Sequence, residues 1–232
     1  MGARHFLLMG SGEFEPWTEE VECVALEGRP RRVAVVPTAS APEGDAVFDR
    51  WGRMGLEHYA GMGVEAGVIP LKRREDAERD EVVWALEGAG MVFFSGGNPR
   101  FLAHAMGGTR FFEALGRALD AGAVFAGCSA GAMVASRRPD ARPRFGAAWV
   151  SGLGLIEHGS FGAHWDKVRF IPGMRPFLRS RARGGWFAGL DERTAILGDG
   201  RTWTVYGVGT VQLRLDGSTR TLRRGERFVT PA

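Results

Sequence analysis

Short apolar runs alternate with longer stretches of helical spacing along the first 135 residues. The runs are His5–Met9, Arg32-Val-Ala-Val-Val-Pro-Thr38, Val64–Leu71, Gly90-Met-Val-Phe-Phe94 and Ala123-Val-Phe-Ala-Gly127. Glu65 aside, the runs are short and largely apolar, which predicts strands buried on both faces. Between them, Ala46–Met62 carries Val47, Trp51, Met54 and Tyr59 at roughly helical spacing, and Phe111–Ala121 sets Phe112, Leu115 and Leu119 on one face. Glu78–Leu86 and Phe101–Met106 are the other predicted helices of this half. Strand–helix alternation of this kind predicts a parallel sheet covered by helices on both sides.

The pattern changes after Ser136. Arg137–Arg144 reads as a charged, Pro-containing loop, and Gly152, Gly154 and Gly159 break the next stretch into loops and short strands. An Arg-rich segment to Arg183 is expected to be partly helical. Trp186–Leu190, Thr194–Leu197, Thr202–Tyr206 and Val208–Leu215 are short strands, with Gly198-Asp-Gly200 and Asp216-Gly217 as hairpin turns. Arg220–Val229 is expected to close the chain as an antiparallel ribbon. No repeat or low-complexity tract divides the chain, so one domain over residues 1–232 is expected.

Composition narrows the function classes. With 44% hydrophobic and 25% charged residues among 232, the chain is that of an ordinary globular protein able to bury a full core. A net charge of +3, evenly spread, argues against nucleic acid as a partner. Lysine occurs only at Lys72 and Lys167, so arginine, the better carboxylate clamp, supplies nearly all the positive charge. Two cysteines, Cys23 and Cys128, make no disulfide framework. The run Phe6-Leu-Leu-Met9 is too short for a secretory segment, and no stretch reaches membrane-span length. A cytoplasmic protein without a membrane partner is expected.

The candidate chemistry sits where the fifth apolar run ends. Gly127-Cys-Ser-Ala-Gly131 is a G-x-S-x-G sequence at a strand-to-helix junction. A serine on so sharp a turn projects its hydroxyl from the end of the sheet, and small neighbours relieve the crowding around it. Gly96–Asn98 follows another strand, so it and Ser129 are expected to share the crevice at the carboxyl ends. The corner Gly10-Ser-Gly-Glu13 is either a plain turn or a place where backbone approaches a ligand.

A serine hydroxyl needs a base. His5, His58 and His104 fall on predicted strands or helices, where packing or surface roles are expected. His158 and His164 lie in the loop-rich half, and the small residues around His164 in Ser160-Phe-Gly-Ala-His-Trp-Asp166 permit a backbone aimed into a cleft. A carboxylate should hold the imidazole. Asp166 is too near in sequence to do so easily. Glu192 is better placed, with Asp191 as its rival. The histidines and cysteines lack metal-ligand spacing, and serine acylation needs no cofactor, so neither is expected.

Taken together, Phe94-Ser-Gly-Gly-Asn98, Gly127-Cys-Ser-Ala-Gly-Ala132, Ala163-His-Trp165 and Leu190-Asp-Glu-Arg-Thr-Ala195 resemble the peptidase S51 family of aspartyl dipeptidases (peptidase E) and cyanophycinases. The similarity extends to Leu8-Met-Gly-Ser-Gly-Glu13 and Val36-Pro-Thr-Ala-Ser40. The resemblance implies a flavodoxin-like three-layer α/β/α sandwich, related to class I glutamine amidotransferase domains. It also implies Ser129 as nucleophile, His164 as general base, Glu192 as the carboxylate, and the amides of Gly97 and Ala130 as oxyanion donors. The chain departs from cyanophycinase-like members at Asn98-Pro99, where they carry Asp-Gln, and in the arginines Arg169, Arg175, Arg179 and Arg181. Asn98, Arg169 and Arg175 are the expected substrate contacts, the arginines either clamping a substrate carboxylate or forming a solvated surface. The expected activity is hydrolysis of a short peptide or isopeptide bond beside an acidic residue, by a monomer or homodimer. Two other readings share the motif. An α/β-hydrolase esterase wants its carboxylate before the histidine, and only Glu157 sits suitably here. A catalytically idle amidotransferase-like scaffold would keep the fold and lose the chemistry.

Overall fold

The five apolar runs form the parallel part of one sheet. The computed structural model describes residues 3–136, 152–173 and 185–231. Strands β1 (His5–Met9), β2 (Arg32–Val36), β3 (Glu65–Val68), β4 (Met91–Phe94) and β5 (Val124–Cys128) lie in the order β1-β5-β4-β2-β3, all parallel. Along each buried strand alternate residues face opposite layers, as the period of two requires. Leu7, Met9, Val33, Val35, Phe93 and Ala126 join one core cluster, with residues of α1 (Glu19–Ala25) and α2 (Asp45–Gly61). Phe6, Leu8, Val36, Val92, Phe94 and Phe125 join the other, under α3 (Asp80–Trp84), α4 (Pro99–Met106), α5 (Arg110–Asp120) and α6 (Ala130–Val134).

The chain beyond residue 152 divides between two sheets. Strands β8 (Thr194–Gly198), β9 (Thr202–Gly207) and β12 (Arg227–Val229) extend the large sheet beyond β1, each antiparallel to its neighbour. Strands β6 (Gly159–Gly162), β7 (Trp186–Leu190), β10 (Val211–Leu215) and β11 (Ser218–Leu222) form a second sheet, in the order β11-β10-β7-β6. Its Trp186, Ala188, Val211 and Leu213 share the core that contains α4 and α5. The expected closing ribbon is therefore split: β11 stays with β10, while β12 crosses to β9. Apolar burial explains the crossing, because Phe228 stacks on Trp203 in the large sheet with ring centroids 6.3 Å apart.

Helix α1 has no counterpart among the predicted elements. It is seven residues long and buries Glu22, which breaks the apolar period. That carboxylate is held by Thr18, His58 and Tyr59 at 2.9, 2.5 and 2.9 Å. Burial, reinforced by the Glu22 charge, pushes the Tyr59 phenol well above its ordinary range. The predicted helix Glu78–Leu86 begins later than expected, at Asp80, because a 3-10 turn (Arg74–Glu78) comes first and Arg79 after it is extended. The start of that turn is capped by Asp76, which accepts the Lys72 and Arg73 amides. Among the described residues no helix is long and apolar enough to cross a membrane.

Candidate active site

The loops leaving β1, β4 and β5 meet the β6–α7 and β7–β8 connections at one end of the large sheet, where α7 is Trp165–Val168. Gly10, just past β1, is where they converge. A Cβ there would stand 2.1 Å from the Asp191 carbonyl oxygen, so only glycine lets the β7–β8 connection pass so closely. The Gly10 amide donates to the Thr194 carbonyl at 2.9 Å, the Gly10 carbonyl accepts from the His164 amide at 3.4 Å, and the Met9 carbonyl accepts from the Ser129 amide at 3.0 Å. The segments carrying Ser129, His164 and Glu192 are thus tied to the end of a single strand.

Ser129 has φ 49° and ψ −108°, a strained conformation for a residue with a Cβ. The two glycines of the motif make room for it. A Cβ on Gly131 would meet the Phe94 carbonyl oxygen at 2.1 Å, and one on Gly127 would meet the Gly131 carbonyl at 2.4–2.5 Å. His164 is left-handed too, at φ 48° and ψ 42°. The next residue anchors it: the buried Trp165 indole donates to Gln212 at 3.0 Å and packs where any side chain on Gly189 would collide.

The three side chains come together. Ser129 Oγ lies 3.2 Å from His164 Nε2, and His164 Nδ1 lies 3.1 Å from Glu192 Oε1. His164 and Glu192 are 41% and 40% exposed, so the group opens to solvent and can be reached. Among the described residues no other histidine approaches Ser129: His58 is buried against Glu22, and His158 lies beside Asp199 and Arg201. Asp191 has a different occupation. Its Oδ2 accepts from the Thr210 amide and hydroxyl at 3.1 and 2.6 Å, fastening the β7–β8 connection to the start of β10.

Asp166 does not touch the imidazole, yet its Oδ1 accepts the backbone N–H of Glu192 at 2.9 Å and so locates the carboxylate through its main chain. Spacing could not reveal this link, which spans 26 residues.

Gly97 has φ 135° and lies so close to the Ala39–Ser40 backbone that a Cβ would meet it at 2.4 Å. Its neighbour Gly96 is near the serine, a Cβ there standing 3.6 Å from Ser129 Cβ. Among the described residues the amides of Gly97 and Ala130 donate to no protein acceptor. Asn98 caps α4, its Oδ1 accepting from the Arg100 and Phe101 amides at 3.0 and 3.1 Å. Arg169 stands 3.7 Å from Asp191 and stacks on Phe170. Arg175 lies outside the described residues, as do Arg179 and Arg181. Among the described residues no three His, Cys, Asp or Glu side chains gather as a metal would need.

Known structures share this architecture. The crystal structure of a peptidase from an acI-B1 Actinobacterium superposes with a TM-score of 0.85 at 29% identity, covering 98% of this chain and 97% of that one. A putative peptidase E protein from Listeria monocytogenes EGD-e shares the fold at a TM-score of 0.62 and 16% identity, covering 90% of this chain and 100% of that one. No curated protein matches the sequence. The profile of peptidase family S51 matches residues 6–206, from the first strand through the second antiparallel strand of the large sheet and across every loop of the site. On that match, this chain belongs to peptidase family S51.

Proposed function

We propose that the protein is a serine-type peptidase that cleaves a short peptide or isopeptide bond beside an acidic residue. The observation that carries this reading is the unbroken path from Ser129 Oγ through the His164 ring to Glu192, with both gaps at hydrogen-bond length. Glu192 accepts from Nδ1–H, which leaves the Nε2 lone pair facing the serine hydroxyl. Ser129 Oγ attacks the carbonyl carbon while Nε2 takes its proton. The resulting oxyanion is stabilised by the Gly97 and Ala130 amides, each such donor contributing about 3 kcal/mol in the transition state. Collapse breaks the C–N bond, and the imidazolium returns its proton to the leaving amine. A water then repeats the sequence on the acyl-enzyme, releasing the acid and the free serine.

Preference for an acidic residue is supported by the family and by the cations near the site. Arg169 is partly engaged with Asp191, and Lys167 is 66% exposed with Nζ 3.7 Å from Glu192 Oε2. A panel of Asp-X dipeptides, β-Asp-Arg and neutral dipeptides tests the specificity. Turnover concentrated on the Asp-containing members is expected, and equal turnover of the neutral ones would remove the acidic preference.

The two adjacent carboxylates should separate cleanly. Glu192→Gln is expected to lower kcat by about 10⁴-fold, because an amide cannot hold the imidazole in the required tautomer and charge. Asp191→Asn should leave kcat near the wild-type value and cost about 1 kcal/mol of stability through a weakened Thr210 contact. Steady-state kinetics and denaturant melts of both variants check the assignment. The reverse pattern would make Asp191 the third member.

A further inference from the structure

One buried carboxylate at the site has no part in this acyl-transfer scheme. Glu13 is 7% exposed. Its Oε1 accepts the Gly96 amide at 2.8 Å and its Oε2 accepts the Cys128 thiol at 2.9 Å. Gly96 immediately precedes Gly97, and Cys128 immediately precedes Ser129. A single side chain from the loop after β1 therefore ties the end of β4 to the end of β5. Burying a carboxylate is costly and is tolerated only where donors meet it, as both do here. Burial and the neighbouring Glu13 charge push the Cys128 thiol well above its ordinary range, so it stays a donor.

The backbone is bent to deliver this side chain. Glu13 stands between Gly12 at φ 73° and Phe14 at φ 62°, and a phenylalanine in the left-handed region is uncommon. Phe14 is held there by its ring, 4.8 Å from Phe93 and packed against Trp51, His58 and Tyr59. Trp17 Nε1 donates to the Gly12 carbonyl at 2.7 Å on the other side. A Cβ on Gly96 would stand 3.0 Å from Glu13 Oε1 and 3.6 Å from Ser129 Cβ, so the carboxylate, the glycine and the serine meet at one point. With both oxygens engaged and little exposure, Glu13 is closed to substrate and suited to holding other groups in place.

We infer that Glu13 is a positioning residue that fixes the Gly96–Gly97 peptide against the Ser129 turn, so that the Gly97 amide and the Ser129 hydroxyl address the same carbonyl. This rests on the serine reading above. Oxyanion donors act only when aimed within about 3 Å of the developing charge. Gly97, at φ 135°, is held from both sides: the Asn98 amide donates to the Ala39 carbonyl at 2.7 Å, and the Gly96 amide donates to Glu13. The Glu13–Gly96 bond is the one of the two that faces the Ser129 turn.

The test is the second-order rate at which a fluorophosphonate labels Ser129, measured beside kcat and KM on a cleaved dipeptide. Phosphonylation puts an oxygen in the oxyanion site, so it reads the aim of the donors in the folded fraction whatever the melting temperature. Glu13→Ala is expected to lower labelling and kcat by about 10²-fold, the usual loss for a misplaced oxyanion donor, with KM little changed. Glu13→Gln should recover most of that loss, since its amide oxygen can still accept from Gly96. Should Glu13→Ala fail to fold, Glu13→Asp carries the same expectation, because it keeps the charge but is too short to reach both donors. Labelling of a folded Glu13→Ala or Glu13→Asp variant at the wild-type rate would overturn the positioning role alone, as would a Glu13→Gln variant no better than Glu13→Ala. Wild-type protein that cleaves dipeptides without labelling at Ser129 would overturn the serine reading and this role with it.

Discussion

Peptide turnover by Ser129→Ala is expected to fall by about 10⁴- to 10⁶-fold, to the level left by binding alone. The magnitude follows from the role proposed for the hydroxyl: without it no acyl-enzyme would form, and His164 would have no proton to take. His164→Ala should cost nearly as much, because an unassisted serine is a poor nucleophile. The double variant should be little worse than either single one, since residues that act as a unit give strongly non-additive losses. Both substitutions remove partly exposed side chains, so melting temperatures should stay close to wild type. Steady-state kinetics on the best dipeptide, with calorimetry of each variant, checks all three statements. Losses that simply add would mean that the two side chains act separately.

Gly131→Ala should unfold the site rather than merely silence it. The added methyl carbon would stand 2.1 Å from the Phe94 carbonyl oxygen, with Phe94 C and Cβ at 2.8 and 2.9 Å. Two of these atoms are backbone of a central strand, so the short helix after Ser129 must move away from β4 instead. Overpacking of this kind typically costs 1–3 kcal/mol, and a rigid backbone partner puts this site near about 3. For a chain of this size that corresponds to a fall of roughly 6–12 °C in Tm, with activity lost because the serine moves with its helix. Gly61→Ala is the control. A Cβ there meets nothing within 4 Å, and the position lies in the last turn of α2, so its Tm should hold or rise slightly. Equal effects at the two glycines would mean that the close approach at Gly131 is not what sets its identity.

Much of this was legible in the chain itself, for identifiable reasons. Four of the parallel strands were clear because strands buried on both faces are continuous apolar runs, as Val92, Phe93 and Phe94 illustrate. Strand β3, at the sheet edge, instead leaves Glu65 and Gly67 exposed and is not buried on both faces as expected. The serine turn was clear because two backbone clashes demand glycine at positions 127 and 131, leaving a fixed pentapeptide. Glu192 could not be separated from Asp191 by spacing. The difference lies in tertiary contacts, where Thr210 occupies Asp191 and leaves the next residue facing His164. Helix α1 was hidden because its inward Glu22 is satisfied by His58 and Tyr59, some 36 residues away. The division of the C-terminal strands between two sheets was hidden too, since alternation along β11 and β12 says nothing about which edge each will join. Glu13 stood in a visible glycine-rich corner, but its partners Gly96 and Cys128 lie 83 and 115 residues on.

In the mechanism proposed above, a hydroxyl at one strand end is made nucleophilic by an imidazole brought from the other half of the chain. Treating the folded protein with a fluorophosphonate and mapping the adduct by mass spectrometry is the decisive experiment. One adduct on Ser129 in the wild type, absent from Ser129→Ala and slowed by orders of magnitude in His164→Ala, is the predicted result. Protein that hydrolyses dipeptides yet carries no adduct, or carries it on a different residue, would contradict the account.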